Sequence, residues 1–228
     1  MTMNVKRPTE TIEDYLLLIH SMQREGDDVI GARVKERLGV SAPTTWATLK
    51  RMERDGIVTL GRSHEIELSP SGQAMAESVI RRHMLAERLL TDILKVDWAE
   101  VHNEAHRMEH AISPLIERQI NNLLGNPSTC PHGNPIPGTH QQAQGKVFPL
   151  SRCREGDRVV INNIAEHAEE DADLMHFLER NRLLPDSYLL IEEVVLSNGT
   201  IMVSQETDGR RVVVGLSTAE LVLVRMQP

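Results

Sequence analysis

Four of the ten histidines in this 228-residue chain fall between positions 83 and 110. His83 and Glu87 are four residues apart, and His102, His106 and His110 repeat at the same spacing with Glu109 beside the last. On a helix advancing about 100° per residue, His102, His106, Glu109 and His110 span about 100° of arc, which is one broad side. A His/Glu pair at 83 and 87 can face that side from the preceding helix. Imidazole and carboxylate together are ligands for a divalent first-row metal, and sulfur is not needed. One histidine on an amphipathic helix is ordinarily a surface residue; a stripe of this density is a candidate metal site.

Helices must hold these groups, and the pattern supplies them. Residues 70–95 and 98–111 read as two helices, and Ser113-Pro114 restarts the chain as N-cap and first-turn proline of a third that ends at Leu124. Val79, Leu85, Leu89, Leu90, Ile93, Val101, Met108, Leu115, Ile116 and Ile120 give more apolar surface than a lone helical pair can bury, so a homodimer is expected. Upstream, Thr9–Glu25 reads as a helix with the stripe Ile12, Tyr15, Leu16, Ile19 and Met22, ended by Gly26. Residues 31–39 form a short second helix with Val34 and Leu38 inward. A third starts at Ser41 or Ala42, with Ser41 as cap, Pro43 in the first turn and Gly56 after its end. IVTLGRSHEIELS then alternates around a glycine turn as a two-stranded wing.

Helix, helix, glycine-stopped turn, helix and hairpin is the order of a winged helix-turn-helix, with the third helix reading DNA. Ser41, Pro43, Thr44, Thr45, Trp46 and Thr48 face base edges or phosphates in this reading, while Arg33, Lys50, Arg51, Arg54 and Arg62 supply charge to the backbone. Residues 125–146 are rich in Gly, Pro and polar residues and read as a linker; Cys130 and His132, inside it, are assigned no role. Beyond it, GDRVVINNIAE, SYLLIEEVV, TIMVSQE, RRVVVGLS and LVLVRM are short strands around a helix near 172–180, the content of a small SH3-like β barrel.

The expected fold is therefore mainly α with a small β domain. It comprises a winged helix-turn-helix at 1–72, a helical metal-binding and dimerisation domain at 73–125, a linker at 126–147 and an SH3-like domain at 148–228. Net charge is −8, yet residues 1–72 carry 10 basic against 11 acidic side chains, and residues 149–228 carry 8 against 14. The acidic excess is thus C-terminal, and a DNA-reading face is not excluded. With two residues each of Trp, Tyr and Phe, the core must be aliphatic. Two cysteines form neither a metal-type pair nor a disulfide framework. No run is long enough to span a membrane and the first residues carry no apolar signal segment, so a soluble cytoplasmic protein is expected.

In this order, VSAPTTWATLKRMERDGIV, RRHMLAERLLTDIL, VHNEAHRMEH and HGNPIPG resemble the diphtheria toxin repressor family of metal-dependent transcriptional regulators, over nearly the whole chain. The resemblance implies a dimer with two metal sites per subunit that binds palindromic operators when metal is present and controls metal-homeostasis genes. It implies an ancillary site of His83, Glu87 and His102, completed by Glu166 and Glu169 from the C-terminal domain. It implies a primary site of Asp14, His106, Glu109 and His110. Iron-responsive members have methionine and cysteine at the positions of Asp14 and His106. Manganese-responsive members share the aspartate, but have glutamate at the position of His106 and a second carboxylate where this chain has Leu17.

An oxygen and nitrogen site suits Mn(II), with Fe(II) next; Zn(II), Co(II) or Ni(II) are expected to substitute in vitro. Ala47 stands where iron regulators place a base-reading glutamine, and Trp46 replaces a small residue, so a different operator is expected. Trp46 either packs on a sugar or thymine methyl or is wedged against the wing. Three rival readings are a winged-helix factor with a structural zinc site, a metal-dependent hydrolase and a metal buffer. No nucleophile motif or phosphate loop supports the hydrolase.

Overall fold

The computed structural model describes residues 7–61, 64–139 and 145–227. The chain divides into two compact units, Met1–Arg82 with Glu109–Ile112, and His83–Met108 with Ser113–Pro228.

The first unit opens with α1 (Glu10–Glu25), α2 (Gly31–Leu38) and α3 (Ala42–Arg54). Gly26 and Gly39 end α1 and α2 in the left-handed conformation, at φ of 76° and 64°, where a side chain would be strained. Ser41 caps α3 by accepting from the Thr44 amide, with Pro43 in the first turn. Strands β1 (Val58–Leu60) and β2 (Ile66–Leu68) pair antiparallel as the wing, from Val58 opposite Leu68 to Leu60 opposite Ile66. The stripe read from α1 forms one core with Val34, Leu49, Met52, Ile57, Val58 and Ile66. Each such side chain contributes about 1.5–3 kcal/mol by leaving water. The Ser69 hydroxyl accepts from the Gly72 amide and so caps α4 (Pro70–Arg88). A Cβ on Gly72 would strike the Ile57 carbonyl oxygen, so this helix start sits directly on the residue that leads into β1.

In the second unit, α4 gives way after Arg88 to a π-helical turn, Leu89–Leu94, ending at Lys95 with φ 60°. The sequence predicts one continuous helix here; the register changes just beyond Glu87. Helix α5 (Val101–Glu109) starts later than the expected Trp98, because Trp98 serves as an anchor. Its amide donates to Glu179 at 2.9 Å and its indole N–H donates to the Pro131 carbonyl at 3.0 Å. Helix α6 (Pro114–Leu123) is capped by Ser113, as expected.

The C-terminal part is a six-stranded antiparallel sheet in the order β3 (Val147–Pro149), β8 (Val222–Met226), β4 (Arg158–Ile164), β5 (Tyr188–Val195), β6 (Thr200–Gln205), β7 (Arg211–Gly215). Bulges after Ile161 and Ile191 bend it. Helix α7 (Ala172–Arg180) falls where the sequence predicts it, whereas β3 and the short α8 (Leu216–Leu221) were not anticipated. Aliphatic side chains of β4 to β8 close over Met175, Leu178 and Trp98 in a second core.

Candidate metal centre

In the second unit, α4 presents His83 and Glu87 one turn apart, and α5 brings His102 to them. His83 Nε2 lies 3.0 Å from Glu87 Oε1 and 3.1 Å from His102 Nδ1. His102 Nδ1 lies 3.3 Å from Glu87 Oε1 and 3.1 Å from Glu169 Oε2, just past a single 3-10 turn that starts at Glu166. These four side chains place one ligand atom each within 4.8 Å of all the others. Glu166 belongs to no such group of donors among the described residues.

A fifth group stands beside them. His132, fully buried, holds Nδ1 3.1 Å from Glu169 Oε2 and 3.4 Å from Glu87 Oε1. The expected linker is therefore buried here, and its His132, to which the sequence assigns no role, lies against both carboxylates. Asn134 donates to Glu169 Oε1 at 2.7 Å and to the Ile164 carbonyl at 2.8 Å, which aims the carboxylate. Arg88 ties the same segment to α4 through the Thr129 carbonyl at 2.7 Å.

Burial alone would raise the Glu87 carboxyl, but His83, His132 and His102 outweigh it and hold it well below the usual range. Burial likewise opposes charge on His102, yet Glu169 and Glu87 push it up to about 9. Burial would also raise the Glu169 carboxyl, and His132 leads the groups that lower it. Such a cluster is built around positive charge. Glu87 Oε2 is buried without a hydrogen-bond partner, as is His132 Nδ1. Orphaned donors of this kind fit a divalent cation, which takes the place of protons.

The first unit carries a second cluster. His110 Nε2 lies 3.2 Å from Asp14 Oδ1 and 3.5 Å from Glu109 Oε1, while its Nδ1 lies 2.7 Å from Glu13 Oε2. Glu13 is buried and receives Arg82 at 2.6 Å and Arg7 at 3.0 Å. Burial would raise its carboxyl, but Arg7, His110 and Arg82 bring it below the usual value. The ionised Glu13 thus holds the Nδ1 hydrogen and turns Nε2 toward the two carboxylates, the arrangement of a ligating imidazole. Glu13 is not among the residues that the sequence singles out. His106 is exposed, on α5 one turn before His110, and belongs to the second unit.

On α3, Ser41, Pro43, Thr44, Trp46, Lys50 and Arg51 are exposed. Thr45 and Thr48 are not. They occupy the inward positions with Leu49 and Met52, and the Thr45 hydroxyl donates to the Ser41 carbonyl at 3.1 Å. The expectation that both reach DNA is corrected, since i, i+3, i+4, i+7 spacing from 45 to 52 defines the buried face. Thr48 contributes only to the floor of a surface depression with Pro43, Thr44, Ala47 and Arg51. Trp46 stands out from α3 with Lys50 Nζ 4.8 Å over its ring, and the wing residue His64 is 6.4 Å away edge-on. Arg33 lies 3.6 Å from Asp27 and 3.5 Å from Asp28, exposed pairs that weigh little. Arg54 pairs with Asp55 at 2.9 Å, and Arg62 lies outside the described residues.

A winged helix with an exposed reading helix, joined to buried histidine and carboxylate clusters, defines a DNA-binding protein of the metal-responsive kind. Residues 7–63 match the iron-dependent repressor N-terminal DNA-binding domain, and residues 69–138 match the iron-dependent repressor metal-binding and dimerisation domain. The chain is 38% identical over 204 residues to the iron-dependent repressor IdeR of Mycobacterium leprae, covering 85% of this chain and 89% of that protein. It is 43% identical over 141 residues to the diphtheria toxin repressor of Corynebacterium diphtheriae, 62% of each chain. A manganese-dependent transcriptional repressor in complex with manganese superposes with a TM-score of 0.84 at 32% identity, over 95% of this chain and all of that one. The chain belongs to the iron-dependent (diphtheria toxin) repressor family. That family is made of transcriptional repressors that use DNA-binding and metal-binding domains; it is not a family of enzymes, so the hydrolase reading falls.

Proposed function

We propose that this chain is a homodimeric repressor whose operator binding is switched on by Mn(II), with Fe(II) second, and that it controls metal-homeostasis genes from palindromic operators. The observation that carries the reading is the His110 imidazole, fixed by Glu13 so that Nε2 faces Asp14 and Glu109. Asp14, Glu109 and His110 form the responsive site, with His106 as the fourth donor that the family resemblance implies. His83, Glu87, His102 and Glu169 form the ancillary one. The absence of sulfur from the responsive set supports Mn(II) over softer metals.

A divalent cation would supply the charge that offsets two facing carboxylates at His110. Asp14 sits on α1, whose other face builds the core shared with α3. Metal occupancy is therefore coupled to the DNA-reading unit, and the operator-competent dimer is favoured by its greater affinity for metal. The exposed Ile93, Leu94, Leu115, Ile116 and Leu123 support a second copy as partner. Ser41, Pro43, Thr44 and Trp46 face the groove, with Arg33, Lys50, Arg51 and Arg62 on phosphates. The proposed functional regions are 1–72, 73–125 and 148–228, and action in the cytoplasm follows from action on DNA.

The test uses chelator-stripped protein and operator fragments selected from genomic DNA. Binding is followed anaerobically at one fixed salt concentration with Mn(II), Fe(II) or Zn(II), because affinity depends steeply on salt. Mn(II) at micromolar levels is expected to switch binding on. Equal binding with and without metal would remove the sensing role.

A further inference from the structure

In the second unit, the loop that follows α6 and the turn between α7 and β5 leave a cleft beside Trp98. Its volume is about 280 Å³. That is the small end of the usual range for ligand pockets, about 300–1,000 Å³, and suits a ligand of few atoms. Trp98, Pro131, Leu184 and Pro185 line it with apolar surface, while Arg88 and Asp186 give it one charge of each sign.

Both charges are fixed in place. The Arg88 guanidinium donates from Nε to the Thr129 carbonyl at 2.7 Å, from Nη2 to the Thr129 hydroxyl at 3.2 Å and from Nη1 to Asp92 at 3.5 Å. Arginine carries five N–H hydrogens, so two remain, one on each terminal nitrogen, and together they can hold a carboxylate end-on. Asp186 sits in a tight turn: the Ser187 amide donates to the Leu184 carbonyl at 3.1 Å, and the Asp186 amide donates to the Ile161 carbonyl of β4 at 2.9 Å. Its φ of 66° is left-handed, and after Pro185 in such a turn glycine or asparagine is the usual residue. Among the described residues, its carboxylate has no hydrogen bond or ion pair. An acid held where the turn does not call for one, and without a partner, is available to a cation.

A simple anion would suit Arg88, but Asp186 opposes it. A simple cation would suit Asp186, but Arg88 opposes it. A molecule that carries both charges meets neither objection. We propose that this cleft binds a small zwitterion, a free α-amino acid with an apolar side chain, its carboxylate on Arg88 and its ammonium on Asp186. The apolar side chain lies against Trp98, Leu184 and Pro185. None of His83, Glu87, His102 and Glu169 lines the cleft, so its binding can be read on metal-free protein.

The test uses the full chain, chelator-stripped so that an amino acid cannot act by holding metal, in a Trp46→Phe background that leaves Trp98 as the one tryptophan. L-Leucine is titrated by fluorescence and by calorimetry, and saturable binding is expected with a Kd at or below about 1 mM. Isocaproate lacks the ammonium and isoamylamine lacks the carboxylate; each is expected to bind at least about tenfold more weakly. Asp186→Asn removes only the charge, since asparagine tolerates the left-handed conformation. That variant should bind L-leucine about tenfold more weakly and isocaproate as before. Circular dichroism checks its folding; should it fail to fold, the ligand series on the parent chain decides alone. No saturable binding of L-leucine by either method, or equal binding of L-leucine and isocaproate, would overturn the assignment. Unchanged L-leucine affinity in folded Asp186→Asn would overturn it as well.

Discussion

The donors around His102 come from four separate stretches of chain, three imidazoles against two carboxylates, and all but His102 are buried. What stands behind them is neutral: the Trp98 carbonyl on His132 and the Asn134 amide on Glu169. Around His110 carboxylate has the larger share. Asp14 and Glu109 face one imidazole, Asp14 is 36% exposed at its side chain, and the support behind is charged, Glu13 held by Arg7 and Arg82. Neutral support in a closed wall suits a site that stays filled. Charged support beside a partly open carboxylate, on the helix that builds the DNA-reading core, suits a site that fills and empties with supply. We read the two clusters as divided in this way, the first structural in emphasis and the second responsive.

The contrast can be broken by attacking the charged support. Glu13→Ala leaves Arg82 buried without its carboxylate, and about 3 kcal/mol or more of stability should be lost, read by urea unfolding. A loss under ~1 kcal/mol would show that the ion pairs do not hold His110.

The two clusters should also fail at opposite ends of the pH scale. The Glu13 carboxyl is depressed when folded, so its contribution is present above its ordinary value of 4.5 and disappears as pH falls through the folded value. His102 is raised to about 9, so its contribution in metal-free protein is complete below 6.5 and disappears as pH rises through about 9. The latter loss is on the order of 3 kcal/mol. Trp98 fluorescence in a Trp46→Phe background reports the second unit. Glu169 and Glu87 raise His132 as well, so alkaline destabilisation that persists when both His102 and His132 are replaced would contradict the assignment. Metal added at pH 9 should restore the lost stability, because protons no longer compete for the ligands.

Two smaller effects sharpen the comparison. Trp46→Ala changes the exposed face of α3 and neither cluster, so operator affinity should drop by about 1 kcal/mol while metal titration is unchanged. Its stability should move by no more than about 0.5 kcal/mol in the same variant. Finally, Cys130 lies in the closed wall, where burial pushes its thiol up to about 12. Iodoacetamide at pH 8 should leave it unmodified until the protein is unfolded, and rapid alkylation of native protein would mean the wall opens.

Much of this was legible because local rules and tertiary structure agree. The glycine stops of α1 and α2, the Ser41 and Ser113 caps and the alternation of the wing each follow from neighbouring residues alone. Helical spacing singled out the His83/Glu87 pair but grouped His102 with His106, Glu109 and His110; only the family resemblance put His102 with His83 and Glu87, where the structure has it. His132 was not singled out, because a Pro- and Gly-rich stretch has no periodicity, and its burial depends on Trp98 and β4, far away in sequence. Glu13 was missed for a similar reason: only Arg7 and Arg82 turn a first-turn acid into a buried support. Thr45 and Thr48 mark the opposite failure. Polar residues on a reading helix invite a DNA role, but their spacing with Leu49 and Met52 already placed them inside.

The division of labour is tested most directly by Mn(II) dose-response curves for operator binding, run side by side on Asp14→Ala and Glu87→Gln at one salt concentration. Asp14→Ala should fold and show no metal response, at least a hundredfold loss on the order of 3 kcal/mol. Glu87→Gln should still respond, with its midpoint moved to higher metal. Normal metal-dependent binding by Asp14→Ala would contradict the account.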